Sequence, residues 1–201
     1  MHRAAKAILS ALVLVGVAGA VSAVWVSHAV KREVEAPITT LNVNGQTGKS
    51  LIVHHPGLTG FQEQVTAAFA EGLAQSGWRV DRTTASRQAP SDVSGYDLIV
   101  LGSPVYGGAA AVPLRDYIAR VADFQGKPVA LLLTAAGDAD DAMEATAAAV
   151  TTERGKVVAR LGYTTMRPNK AAATYSGSNS ERAVAMARDA ARALAPRAGG
   201  S

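Results

Sequence analysis

The chain predicts an α/β fold, a parallel sheet covered by helices on both faces. Three observations carry this. Short aliphatic runs alternate with longer segments of helical periodicity along most of the sequence. Two of those runs, Leu98 to Leu101 and Val129 to Leu133, are continuously apolar, as strands buried on both faces must be. Glycine and other small residues follow them, where a parallel sheet opens its carboxyl edge to a ligand.

Taken in order, Leu51 to Val53 reads as the first strand and His54 to Gly60 as a loop. The helix Phe61 to Gln75 follows, with Val65, Ala68, Phe69, Gly72 and Leu73 recurring on one face and Gly77 as its stop. Trp78 to Thr83 is the second strand. Thr84 to Gly95 is a crossover with at most one helical turn around Asp92. Leu98 to Leu101 is the third strand, and the segment Gly102 to Ala111 is expected to be a loop. Pro113 opens a helix where its missing N–H costs nothing. Pro128 to Thr134 is the fourth strand, Asp138 to Arg154 a helix, Val157 to Leu161 the fifth strand, and Ser180 to Ala195 the last amphipathic helix. The domain therefore spans 50–196, and 197–201 is a tail.

Ahead of the domain, Ala7 to Val30 contains no Asp, Glu, Lys or Arg. About 20 apolar residues cross a hydrocarbon core, so residues 1–30 are long enough for a single-pass membrane anchor. Trp25 would lie near an interface, with Arg3 and Lys6 before the segment and Lys31 and Arg32 after it. The competing reading is a cleaved signal peptide, because Ala18-Gly19-Ala20 and Val21-Ser22-Ala23 supply small residues at cleavage spacing. Apolar character continuing through Val26 favours the anchor, and the charge bias leans toward an extracytoplasmic domain. Residues 31–49, with Pro37, Asn42, Asn44, Gly45 and Gly48, have the composition of a linker.

Composition removes several function classes. There is no cysteine, which excludes disulfides, thiolate nucleophiles, thiolate metal sites and iron–sulfur clusters. The net charge of +4 is spread among acids rather than clustered with aromatics, so nucleic acid is not an expected partner. Gly45 to Ser50 ends in Gly-Lys-Ser but precedes a strand, so it is not a phosphate-binding Walker loop.

The densest signal is Tyr96-Asp97-Leu98-Ile99-Val100-Leu101-Gly102-Ser103-Pro104-Val105-Tyr106-Gly107-Gly108. An apolar strand ends in a stretch that exposes backbone and holds one aromatic with a polar tip. Residues 49 to about 195 resemble the flavodoxin-like family, in its flavodoxin and FMN-dependent quinone-reductase branches, most closely at this segment. The resemblance implies a three-layer sandwich with a five-stranded parallel sheet of order 2-1-3-4-5 and FMN at the switch between strands one and three. It also implies that Tyr106 stacks on or edges the isoalloxazine ring while Ser103, Pro104, Val105, Gly107 and Gly108 contact it through backbone.

Two further loops would converge there. In His54-His55-Pro56-Gly57-Leu58-Thr59-Gly60-Phe61-Gln62, only Thr59-Gly60 match the family's hydroxyl-rich phosphate loop, and Gln62 stands where a final hydroxyl is usual. His55, with His54, either donates to the phosphate or is a strand-end residue without ligand role. Thr134, Gly137 and Asp138 form the third loop, in which Asp138, Asp140 and Asp141 are either first-turn acids of a helix or an acidic docking surface. Arg115, Asp116 and Arg120 either touch a substrate or form a solvated helical face. The function implied is FMN-dependent electron transfer, to a redox partner protein or a quinone-like acceptor. A binding module that has lost the cofactor is the alternative.

Overall fold

The computed structural model describes residue 28, residues 30–169 and residues 177–198. The apolar stretch at the amino terminus lies outside these except for His28 and Val30, and among the described residues no helix is long and apolar enough to cross a membrane. Glu33 onward forms one compact unit.

Seven strands and four helices are present among the described residues: β1 Thr39–Leu41, β2 Lys49–His54, α1 Phe61–Gln75, β3 Arg79–Thr84, β4 Leu98–Tyr106, β5 Ala109–Ala110, α2 Val112–Val121, β6 Pro128–Ala135, α3 Asp140–Thr152, β7 Lys156–Thr164 and α4 Asn179–Ala198. The order β1-β3-β2-β4-β6-β7 contains five parallel strands arranged as expected for strands 2-1-3-4-5. β2 lies between β3 and β4, so chain order reverses there and the ends of β2 and β4 diverge into opposite connections.

The two faces of the sheet are filled separately. Leu51, Val53, Ile99, Leu101, Leu131 and Leu133 pack under α2 and α3, through Leu114, Tyr117, Ile118, Met143 and Val150. Ile52, Val80, Val100, Ala130 and Leu132 pack under α1 and α4, through Val65, Phe69, Leu73, Ala183, Ala187 and Ala191. Alternate residues of each strand serve opposite layers, which is why these runs are apolar throughout.

The structure corrects the expected five-strand sheet in two places. β1 falls inside the segment read as linker and pairs antiparallel with β3, Thr39 opposite Arg82 and Leu41 opposite Val80. It is held by Thr40 Oγ1 donating to the buried Asp81 carboxylate at 2.7 Å and by Thr83 Oγ1 donating to the Ala36 carbonyl at 2.9 Å. The other correction is at Gly102 to Ala111, which is not a loop. β4 runs through to Tyr106, turns at Gly107 and Gly108, and returns as β5, with Val105 opposite Ala110. Both turn glycines have φ near the left-handed region, 57° and 78°, the pair that closes a two-residue hairpin with the right twist.

The β3–β4 crossover carries no helix. Arg120 secures it instead, donating to the carbonyls of Ser86 at 2.8 Å and Ala89 at 2.9 Å. This accounts for Arg120 without a substrate.

Candidate functional site

A cavity of about 460 Å³ opens where β2, β4 and β6 end. Its walls come from Thr59, Phe61 and Gln64 at the start of α1, Pro104, Val105 and Tyr106 of β4, Thr134, Ala135 and Ala136 at the end of β6, and Thr165 and Ser180 beyond β7. Among the described residues that line it, Tyr106 alone is titratable. A hollow of this size with small and apolar walls and a few hydroxyls has the dimensions and lining of a small-molecule site.

Tyr106 is half-buried and spans two walls. Its hydroxyl accepts the Leu58 backbone N–H at 3.0 Å, tying the β4 hairpin to the loop before α1 and leaving the O–H proton for a further acceptor. Burial raises the phenol above its ordinary value, against the weaker opposing effect of that N–H. Replacing Tyr106 by Phe should therefore loosen this loop by about 1 kcal/mol of hydrogen-bond energy. The expected signs are faster amide exchange at Leu58 and an unchanged fold by circular dichroism.

The first helix presents its amino end to the cavity. No side chain caps α1, and Thr59 Oγ1 is only a long acceptor for the Phe61 N–H, at 3.5 Å. The first-turn acid Glu63 turns away, its carboxylate held by Arg82 at 2.8 Å. Unpartnered N–H groups and the positive end of the helix dipole are what an anion requires.

Several residues expected at the ligand lie outside the cavity lining, and some of their side chains are engaged within the protein. His55 is buried, and its Nδ1 accepts the Gly57 N–H at 3.1 Å. Gly60 caps α1 and does not line the cavity. The Ser103 hydroxyl is fully buried, accepting the Ala111 N–H at 2.9 Å and donating to the Pro104 carbonyl at 2.8 Å, so it locks the hairpin. Gly107 and Gly108 form the turn beyond the cavity rim. Gly137 and Asp138 line a separate hollow of about 290 Å³ with Arg167 and Asn169. There Asp138 accepts the Asp140 N–H at 2.9 Å, and that bond, with Arg167 beside it, holds the carboxyl below its usual range. Asp138 thus lies just ahead of α3, in an Asx turn leading into it, while Asp140 and Asp141 are the acids of its first turn.

Five expected residues, Thr59, Pro104, Val105, Tyr106 and Thr134, do share the cavity. Phe61, Ala135 and Ala136 fall within the expected loops, whereas Gln64, Thr165 and Ser180 were not anticipated. Thr165 and Ser180 carry no local signal: the β6–β7 ladder, continued by Thr165 N–H to Ala135 O at 3.1 Å, brings Thr165 to the site, and Asn179, donating to the Thr164 and Thr165 carbonyls, ties the start of α4 beside it.

At the end of β2, His54 is buried, and its Nδ1 has no hydrogen-bond partner. Burial, then the Arg82 guanidinium and His55, depress it to about 3. Glu63 lies 3.4 Å from Nε2 and pulls the other way, but that carboxylate is partly solvated and already engaged by Arg82, so burial prevails. A histidine kept neutral in the fold charges first in the unfolded chain. Its stabilisation is therefore complete above the unfolded value of 6.5 and is lost as pH falls toward about 3. Between pH 7.5 and 5 the loss should be about 2 kcal/mol by urea denaturation, and His54→Gln should flatten that dependence.

No family model matches the sequence, and no curated protein matches it. Solved structures do. An archaeal flavodoxin superimposes with a TM-score of 0.59 at 13% identity, covering 75% of this chain and 98% of that one. The Megasphaera elsdenii flavodoxin gives 0.53 at 18% identity, covering 70% and 98%. The fold is flavodoxin-like. An NAD(P)H:quinone oxidoreductase from Methanothermobacter marburgensis shares it, with a TM-score of 0.50 at 17% identity and coverage of 74% and 96%. At such identities the flavodoxin-like likeness speaks for architecture, and the argument for function rests on the cavity.

Proposed function

We propose that this chain binds FMN at the β2–β4 switch point and passes electrons to a quinone-like acceptor, with the uncharged stretch Ala7 to Val30 as a membrane tether and the domain on the extracytoplasmic side. The observation that carries the reading is the cavity itself, at the carboxyl edge of a flavodoxin-like sheet and with Tyr106 as the one titratable group in its described lining.

The residues suit the group. Pro104, Val105, Phe61, Ala135 and Ala136 offer an apolar slot for a planar ring, and Tyr106 offers an aromatic face with a hydrogen-bonding tip. The uncapped start of α1 and the Thr59 hydroxyl suit the phosphate, but His55 and Gln62 are spent internally, so phosphate recognition falls mainly to backbone. Bound there, the flavin ring would supply the electron or hydride transfer. The protein would orient it, exclude water from its buried face and support it through Tyr106 and the β6 loop.

Titration with FMN and with riboflavin tests this. Quenching of flavin fluorescence with saturable FMN binding is expected, and the advantage of FMN over riboflavin should be about tenfold or less, given a phosphate site made of backbone and one hydroxyl. Tyr106→Ala removes an aromatic contact of about 1–2 kcal/mol and should weaken FMN by roughly tenfold or more. Absence of any bound flavin would overturn the proposal in favour of a module that kept the fold and lost the cofactor.

A further inference from the structure

Spare hydrogen-bonding capacity is unevenly spread around the cavity. Tyr106 accepts from Leu58, Thr134 donates to Gln62, and the Thr59 hydroxyl faces the Phe61 N–H. Gln64, Thr165 and Ser180 differ. All three line the cavity, and none of their side chains has a hydrogen-bond partner among the described residues. Gln64 stands near the start of α1 and Ser180 near the start of α4, two helices that pack together on one face of the sheet. Thr165 follows β7, whereas Pro104, Val105 and Tyr106 end β4, and β6 lies between those strands.

Two asparagines hold this part of the wall in place. Asn169 is buried, its Oδ1 accepting the Thr164 N–H at 2.9 Å and its Nδ2 donating to the Thr164 carbonyl at 2.8 Å. Asn179 donates to the carbonyls of Thr164 at 2.8 Å and Arg167 at 2.7 Å, and accepts the Asn169 N–H at 2.9 Å. On the other side, the N–H groups of Thr165 and Met166 donate to the carbonyls of Ala135 and Ala136 at 3.1 and 2.8 Å. The backbone around Thr165 is thus fixed while its hydroxyl stays open. Groups held in place beforehand lose little freedom when a ligand arrives.

The charges nearby are already engaged. Glu63 is held by Arg82 at 2.8 Å, Glu181 accepts from the Ser178 N–H and hydroxyl at 2.8 Å each, and Asp138 pairs with Arg167 at 2.8 Å. What remains open is one amide and two hydroxyls, and each of these side chains both donates and accepts. Such a set suits an oxygen that changes its role. A quinone carbonyl only accepts, and the hydroxyl it becomes also donates. A fixed ammonium would favour the first form and a carboxylate the second.

We infer that Gln64, Thr165 and Ser180 form the acceptor's subsite, binding the oxygens of an uncharged quinone and of its hydroquinone alike. This rests on the FMN reading proposed above, which uses the slot beside Tyr106 for the ring and the start of α1 for the phosphate and leaves these three groups unclaimed. In that reading two electrons from the reduced flavin and two protons from water turn both carbonyls into hydroxyls, so the subsite meets both forms in each cycle.

Duroquinone is the probe, because its fully methylated ring resists addition by protein nucleophiles. Its Kd and that of durohydroquinone are measured anaerobically on the full chain saturated with oxidised FMN, from the backbone amide shifts at positions 165 and 180. The two values should agree within about threefold in the parent. Thr165→Val combined with Ser180→Ala should weaken both forms by about twentyfold. Gln64→Lys should shift the preference toward the quinone by about fivefold and Gln64→Glu toward the hydroquinone by a similar factor, an opposition that a merely structural Gln64 does not produce. FMN titration of the same proteins separates the two readings. A chain that binds no FMN overturns the proposed function and this inference with it. One that binds FMN but not duroquinone, keeps its affinity for both forms in the double variant, or shows no opposed shift between the two Gln64 variants overturns this inference alone.

Discussion

Gly72→Ala is expected to destabilise the domain by about 2–3 kcal/mol and lower its melting temperature by roughly 6–10 °C. By helix propensity alone the change should help, since glycine inside a helix costs about 1 kcal/mol relative to alanine. Packing reverses the sign. A Cβ at position 72 would lie 2.4 Å from the Arg188 carbonyl oxygen and 2.8 Å from the Ala191 Cβ. Neither neighbour yields easily: one is the backbone of α4, and the other belongs to the stripe Ala183, Ala187 and Ala191 that is fully buried against α1. α1 and α4 would have to separate, opening contacts along the layer formed by Phe69 and Leu73. Differential scanning calorimetry checks this, and a rise in melting temperature would show that propensity prevails. Ala191→Gly in the Gly72→Ala background should not rescue, because the carbonyl remains.

What could be read in advance follows from how local each cause is. α1 was legible to its first and last residue: Gly60 and Gly77 bracket it, and the stripe Val65, Ala68, Phe69, Gly72 and Leu73 is buried. β1 was not, since three residues in a Gly- and Asn-bearing stretch become a strand only by pairing with β3. The end of β4 was misread for a related reason. Gly102 looked like a breaker, but it marks the close approach of His54, whose Cβ would stand 2.8 Å from a Cβ at 102. Pro104 looked like another, but the β2 ladder ends at Gly102, so the missing N–H falls beyond it.

The site divides in the same way. Tyr106 was legible as an aromatic placed after a buried strand, and it reaches the cavity. Ser103 and His55 have the right chemistry for a ligand, but both are buried, the Ser103 hydroxyl between the Ala111 N–H and the Pro104 carbonyl and His55 Nδ1 on the Gly57 N–H. No spacing in the sequence distinguishes a hydroxyl that faces a ligand from one that closes a hairpin.

Gln62→Glu should be the more severe change, costing about 3–4 kcal/mol at pH 8. Gln62 is 1% exposed and ties the first helix to the β6 strand. Its Nε2 donates to Thr66 Oγ1 at 3.0 Å and to the Leu132 carbonyl at 3.2 Å, while its Oε1 accepts from Thr134 Oγ1 at 2.8 Å. The start of α1 is thus fixed to β6, and Thr134 keeps its place in the cavity wall. A carboxylate would still accept from Thr134, but it would face the Leu132 carbonyl without a donor and carry a buried charge with no partner. The substituted acid would have a raised value in the fold, so its penalty should be full at pH 8 and fade as pH falls toward the unfolded carboxyl value near 4. Gln62→Leu, of similar volume, should cost about 2 kcal/mol at every pH. Urea denaturation of both variants against the parent, at pH 8 and pH 5, separates the two effects and cancels the contribution of His54, which all three share. If Gln62→Glu and Gln62→Leu differ by the same amount at both pH values, the buried network does not hold the acid, and the link from α1 to Thr134 is not what shapes the cavity.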